Sequence, residues 1–337
     1  MQRRTAIALI CGVAAVAAAV IYAGAGAVLQ AVASLHLSGL LVLVLLHVPA
    51  VVLMGVGWWF ASGADPPASS ARFVWARLVR DAAGELLPFL QLGGVFFGLR
   101  ALGRGRTLLI GAVSASIDGV VELAAKLPYV LAALLALATL APRSRLAELL
   151  WLALLATAIT VAVFLLARRS FSASLQRMAR AISARWPAML GLDEDGGSGL
   201  DVTESFERIL SQRGRLWWAF TLHLCCWFFG AAEIWVTFWL LGAELTLTQA
   251  LVIDGAVVGL RTFGWVVPGA AGVQEASYML VAALFGVPPA VGLAASFARR
   301  GRDLVLGIGT FGIAALGDAD VGFLTLTMPK RQRPRAR

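Results

Sequence analysis

Residues 108–140 read LLIGAVSASIDGVVELAAKLPYVLAALLALATL. Asp118, Glu122 and Lys126 sit four residues apart inside this otherwise apolar run. A bilayer core about 30 Å thick needs roughly 20 residues of helix, and the purely apolar stretch 127–140 is too short to cross alone. The charged residues must therefore be drawn into the span. At i, i+4 and i+8 they share one helix face. Glu122 precedes Lys126 in the order that favours an ion pair, which leaves Asp118 to find a partner elsewhere. A self-neutralising pair near the cytoplasmic interface is the plainer alternative.

The rest of the chain has the same character. Of its 337 residues 60% are hydrophobic and 14% charged, against about 25% charged in an ordinary soluble domain. Eight apolar segments are predicted, at 5–29, 37–62, 108–140, 146–167, 216–242, 247–267, 275–298 and 304–327. The expected fold is an all-α, polytopic membrane helix bundle with re-entrant or broken helices and a candidate inverted repeat. The run 5–29 exceeds the apolar core of a signal peptide and is read as a retained first helix. Pro268, Pro288 and Pro289 can break the last three segments. Residues 1–330 form a single domain in this reading, with 168–215 as a cytoplasmic loop and 331–337 as a basic cytoplasmic tail.

Arginine marks the cytoplasmic side. It accumulates at the N-terminus, at 100–106, at 168–215 and in the tail, so both termini are predicted to be cytoplasmic in a bacterial inner membrane. Arg77 and Arg80, placed on the same side, leave 81–99 entering and leaving by one face as a re-entrant candidate. Glu85, Pro88, Gly93 and Gly94 are poor residues for a lipid-facing helix, and support that reading. Phe171, Leu175, Met178, Ile182, Trp186 and Met189 recur every three or four residues among arginines, the pattern of a basic amphipathic helix lying on the membrane surface. The alternative is a solvated loop helix. Residues 193–199 read as an acidic, glycine-rich hinge. Trp58, Trp59, Trp217 and Trp218 suit the interface. Cys11, Cys225 and Cys226 lie in apolar spans and indicate neither a disulfide framework nor a metal site.

Ionisable residues at membrane depth are costly and point to function. Glu233 lies well inside 216–242, about 13 Å from its end at 1.5 Å per residue. His223 in the same helix reads as a hydrogen-bonded packing residue, with a proton carrier as the alternative. Asp254 and Arg261, about 10 Å apart along one face, cannot pair directly, and each needs a partner from another helix. The segment 268–275, Pro-Gly-Ala-Ala-Gly-Val-Gln-Glu, breaks the helix. It either exposes an N-terminus that can bind an anion at Gly269 and Gly272, or is a plain turn capped by Glu275. Arg299, Arg300, Arg302 and Asp303 interrupt the last apolar region. In an eight-span count they fall on the outer side, against the charge rule. Glu85 with Pro88, Gly93, Gly94 and Arg100 repeats the ingredients of 268–275, which is the hint of an inverted repeat.

Pro268-Gly269 with Gly272 and Glu275 resembles the Pro-Gly-Gly-x-Gly-x-x-Glu signature of the flippase-like family that includes the transmembrane half of lysylphosphatidylglycerol synthases. Arg299 to Asp303 downstream fits the same resemblance, which covers nearly the whole chain. Residues 87–94, Leu-Pro-Phe-Leu-Gln-Leu-Gly-Gly, followed by Arg100, look most like the branch associated with hopanoid biosynthesis, the HpnL type. Ala270 replaces the second glycine of the signature, and Gly94 stands where many members carry an acid. No stretch reads as the soluble aminoacyl-transferring domain of the synthases. The resemblance implies movement of lipid between leaflets and does not imply lysylation.

Lipid translocation is therefore the expected function, for a hopanoid or another polar-headgroup lipid, along Asp118, Glu122, Lys126, Glu233, Asp254 and Arg261. Arg299 to Arg302 and Gly269 to Gly272 would hold phosphate or hydroxyl groups. No Gly-x-x-x-x-Gly-Lys-Ser/Thr loop is present to bring in ATP, and no cofactor is called for. The alternative is a membrane-embedded lipid-modifying enzyme with Glu233, His223 or Glu275 as acid or base, for which the sequence shows no nucleophile beside a base. A non-transporting partner of a lipid-biosynthesis complex is the third class. Membrane lipids and lipid-biosynthesis enzymes are the expected partners, and nucleic acid is not.

Overall fold

A computed structural model of the chain describes residues 2–86, 91–103, 106–185, 201–262 and 270–317. These residues form twelve helices and no strand. Four are long and apolar enough to cross a bilayer: α3 (His36–Phe60), α6 (Arg106–Leu140), α7 (Leu146–Arg185) and α9 (Arg213–Leu240). Around them lie α1 (Gln2–Ala23), α2 (Ala25–Ser34), α4 (Ser70–Leu86), α5 (Gln91–Leu102), α8 (Val202–Ser211), α10 (Leu247–Leu260), α11 (Val273–Ala283) and α12 (Pro289–Gly317).

Polarity is arranged the reverse of a soluble protein's. Leu166 is 87% exposed and Leu37 81%, whereas Asp118 and Glu275 are fully buried. Leu149, Leu152, Leu155 and Ile159 turn outward along α7. Such a surface is stable only against hydrocarbon, where the outward side chains meet acyl tails as apolar as themselves. With the backbone satisfied inside each helix, this is a helical membrane protein.

Leu43 of α3, Leu134 and Leu137 of α6, Ile234 and Phe238 of α9, and Val252, Ile253 and Val257 of α10 make the central core. Helix α10 is buried on nearly every side. Thr246 and Gln249 close a reciprocal cap at its start, so even the end of this short helix leaves few free amides. Helices α4 and α5 pack as a hairpin with almost no gap. A Cβ on Gly98 would lie 2.9 Å from the Ala76 carbonyl oxygen, so only glycine admits this approach. On α8, Phe206 and Ile209 pack against Val113 and Ile117 of α6, and the Asp201 carboxylate caps its first turn.

Several expected boundaries move. Residues 5–29 do not make one straight span: the chain turns by 91° at Gly24, which has φ 83°, a backbone angle glycine adopts freely. The candidate re-entrant segment 81–99 is divided between two longer helices, α4 and α5, whose junction at 87–90 lies outside the described residues. The surface helix expected from residue 168 onward does not form separately. Residues 168–185 continue α7, which at 1.5 Å per residue runs about 60 Å. The expected hinge at 193–199 and the tail at 331–337 lie outside the described residues. Of segment 247–267, the helix runs to Leu260, and residues 263–267 lie outside the described residues. Residues 299–303 do not interrupt anything, because α12 passes through them unbroken. Their charge is absorbed by carboxylates on neighbouring helices, so no loop is needed to carry it.

Candidate functional site

The polar interior begins on α4. Arg77, Arg80, Asp81, Gly84 and Glu85 fall at helical spacing on one face of α4, and Arg77 is only 5% exposed. Its guanidinium donates to Asp81 Oδ2 at 2.8 Å and to Glu122 Oε2 at 2.9 Å. The pair expected within α6, Glu122 with Lys126, is therefore not made. A guanidinium from the facing helix offers several donors in a fixed fork, a better match to a carboxylate than one ammonium four residues away. Lys126 instead donates to Thr262 Oγ1 at 2.7 Å. Asp118 finds its partner across the bundle, with Oδ1 2.8 Å from His223 Nε2. Arg80 lies 3.7 Å from the other carboxylate oxygen, without a hydrogen bond. Arg77 and Arg80, placed in sequence with the cytoplasmic arginines, thus face carboxylates of α6.

A second set of charges hangs on α12. Residues 299, 302 and 303 fall on one helix face, and residue 300 is turned about 100° away. Arg299 donates to Asp254 Oδ1 at 3.1 Å and to the Tyr278 hydroxyl at 2.9 Å. The Tyr129 hydroxyl donates to the second Asp254 oxygen at 2.5 Å. Arg302 pairs with Glu233 and with Asp303, and His47 Nδ1 lies 2.9 Å from Glu233 Oε2. On the other face, Arg300 donates to Glu275 Oε1 at 2.5 Å. Glu275 Oε2 accepts from the Gly272 amide at 2.7 Å. Of the two readings of this break, the structure shows the turn capped by Glu275, so the α11 N-terminus has a carboxylate of its own, and Gly272 serves as the φ 83° cap.

Between these sets lies a cavity of about 500 Å³. Arg77, Arg80, Lys126, Arg261, Arg299 and Arg302 line it together with Asp81, Glu85, Glu122 and Asp303. Val51, Met54, Val95, Trp227, Val258 and Leu306 supply its apolar wall. Arg261 reaches Glu85 only at 3.9 Å. Asp118, Glu233 and Asp254 stand behind the lining and face its arginines, while Glu275 holds Arg300, which does not line the cavity. Arg100, in the last turn of α5, does not line this cavity. Gly269 lies outside the described residues. No cluster of His, Cys, Asp or Glu suited to a metal occurs among the described residues.

A family described as the lysylphosphatidylglycerol synthase TM region matches residues 7–309 of the chain. The chain belongs to this family. Neither a curated protein nor a solved structure matches it. Two of the segments through which the chain resembles the lysylphosphatidylglycerol synthase TM region, Gly272 to Glu275 and Arg299 to Asp303, meet in space at the Glu275–Arg300 bond. The lysylphosphatidylglycerol synthase TM region is a membrane domain, in agreement with the outward-facing leucines and inward-facing charges of this bundle.

Sequence reasoning overlooked His47, Arg77, Arg80, Asp81, Tyr129, Thr262 and Tyr278. For the α4 residues a signal was available, since 77, 80, 81, 84 and 85 all fall on one helix face. His47 in the apolar span 37–62 carried the same signal as Glu233.

Proposed function

We propose that this protein moves a polar-headgroup lipid, a hopanoid or another, between the leaflets of the bacterial inner membrane. The observation that carries this reading is the cavity. It is large enough for a headgroup, it lies among span-length helices, and it sets charged groups beside an apolar wall. A headgroup leaving water loses its hydration, and fixed side-chain charges can replace it. The acyl or ring portion can stay against Val51, Met54, Val95 and Leu306. The reading invokes no catalytic step. Both termini are cytoplasmic in this reading, because Arg168, Arg169, Arg177, Arg180 and Arg185 cluster at the end of α7. The partners are membrane lipids and the enzymes that make them.

Gly84 provides a direct test. It lines the cavity, and a Cβ placed on it would meet nothing within 4 Å. Gly84→Phe should fill the passage without displacing a helix. In liposomes with leaflet-selective quenching, this variant is expected to lose translocation while eluting and unfolding as the parent does. Translocation at the parent rate would exclude the cavity as the path.

A further inference from the structure

Charge compensation is uneven around the cavity. Arg77, Arg299 and Arg302 each have a carboxylate within hydrogen-bond reach. Lys126 is only 9% exposed, and its ammonium is bonded to a neutral hydroxyl, Thr262 Oγ1. Among the described residues no carboxylate lies within 4 Å of it. Glu122, one turn earlier on α6, is committed to Arg77. Arg261 is next to Thr262 in the chain, and its nearest carboxylate, Glu85, is 3.9 Å away, beyond hydrogen-bond length. One hydroxyl thus anchors the ammonium beside a guanidinium that is barely paired.

A buried ammonium without a counter-charge is costly. Lys126, and beside it Arg261 with its one carboxylate 3.9 Å away, therefore gain from an incoming anion. An ammonium has three donors, of which Thr262 uses one, and a guanidinium has five in a planar fork. A tetrahedral oxyanion with several acceptor oxygens satisfies both groups at once, whereas a planar carboxylate offers fewer directions.

We infer that Lys126 and Arg261, with Thr262 as their anchor, form a subsite for a phosphate group. The inference rests on the translocation reading for the source of that phosphate, a lipid headgroup. A free phosphate ion shares its chemistry. The subsite replaces Arg299 to Arg302 as the phosphate-holding element, because those arginines are already held by Asp254, Glu275, Glu233 and Asp303.

The test uses the purified full-length protein in nanodiscs, with fluorescent phosphatidic acid and a diacylglycerol of the same chains. Preference for the phosphate-bearing lipid should be at least about tenfold, and Lys126→Gln and Arg261→Gln should each remove most of it. Lys126→Arg should keep it, as should Arg177→Gln on the exposed part of α7. Equal binding of the two lipids by the parent protein overturns the subsite, as does undiminished preference in both glutamine variants. If Lys126→Gln does not fold, Thr262→Val decides, with a severalfold loss of preference expected and an unchanged preference overturning the subsite. Inorganic phosphate that displaces the lipid from the parent but not from Lys126→Gln supports the subsite with a free anion as sufficient ligand. A preference that survives competing phosphate supports it with a lipid-borne one. Leaflet quenching on the same proteins separates the two readings. Selective binding without translocation defeats translocation alone, while equal translocation of both lipids, indifferent to Lys126→Gln, defeats the subsite alone.

Discussion

Arg299 and Arg302 of α12 and the cations at Arg80, Lys126 and Arg261 border the same cavity but are held in different ways. On α12, Arg299, Arg300 and Arg302 each rest on a carboxylate from another helix or from the next residue. At the second group the distances lengthen to 3.7 Å for Arg80 with Asp118 and 3.9 Å for Arg261 with Glu85, and Lys126 has only a hydroxyl. Buried pairs joined by a direct charge-assisted hydrogen bond are costly to break from one side. Loosely compensated cations can change partner at little cost. The first group therefore acts as scaffold, and the second is where a ligand can compete.

The largest effect should come from breaking a scaffold contact. Asp254 is 2% exposed and holds both Arg299 and the Tyr129 hydroxyl. Asp254→Asn leaves Arg299 with the Tyr278 hydroxyl but no carboxylate within hydrogen-bond reach. A loss of about 3–5 kcal/mol is expected, read from denaturant unfolding in micelles. A loss below about 1 kcal/mol, the range of exposed pairs, would erase the distinction between the two groups. Tyr129→Phe is milder, since it removes one hydrogen bond to the same carboxylate and leaves Arg299 in place. A hydrogen bond to a charged group contributes about 1.5–3 kcal/mol, and the same titration should show a loss in that range. An effect as large as that of Asp254→Asn would mean that the tyrosine, rather than the ion pair, secures α10.

The membrane bundle was legible in 108–140, because three charges in an apolar run leave a span too short without them. The need of Asp254 and Arg261 for partners on other helices followed from spacing alone, and each has one. Which partner each residue takes was not legible. Glu122 and Lys126 satisfy the i, i+4 rule, yet that rule describes an isolated helix, and Arg77 on α4 outcompetes the lysine. The eight-span count failed at 299–303 for a related reason. A hydropathy reading treats charges as a break, but a helix carries them unbroken when Asp254, Glu233 and Glu275 face it. Conversely, Pro49 and Pro128, nominal breakers, sit inside α3 and α6.

Arg80 gives the smallest structural effect and the sharpest contrast. Its Nη1 has no hydrogen-bond partner, and Asp118 retains His223 at 2.8 Å and Arg77 at 3.9 Å when Arg80 is removed. Arg80→Gln should therefore cost no more than about 1 kcal/mol in unfolding. It should still slow translocation of an anionic lipid, because it removes a cation that lines the passage. Asp118 and Lys126 are separated by eight residues of α6, about 12 Å, so Arg80 and the Lys126 subsite are successive positions along the cavity rather than one. A headgroup that passes both should be slowed further by the double substitution Arg80→Gln with Lys126→Gln, with effects that add, as they do for sites without shared partners. Leaflet quenching on the two single variants and the double variant measures this. Non-additive losses would mean that the two cations serve one bound anion, and the cavity would then hold a single anion site rather than two in series.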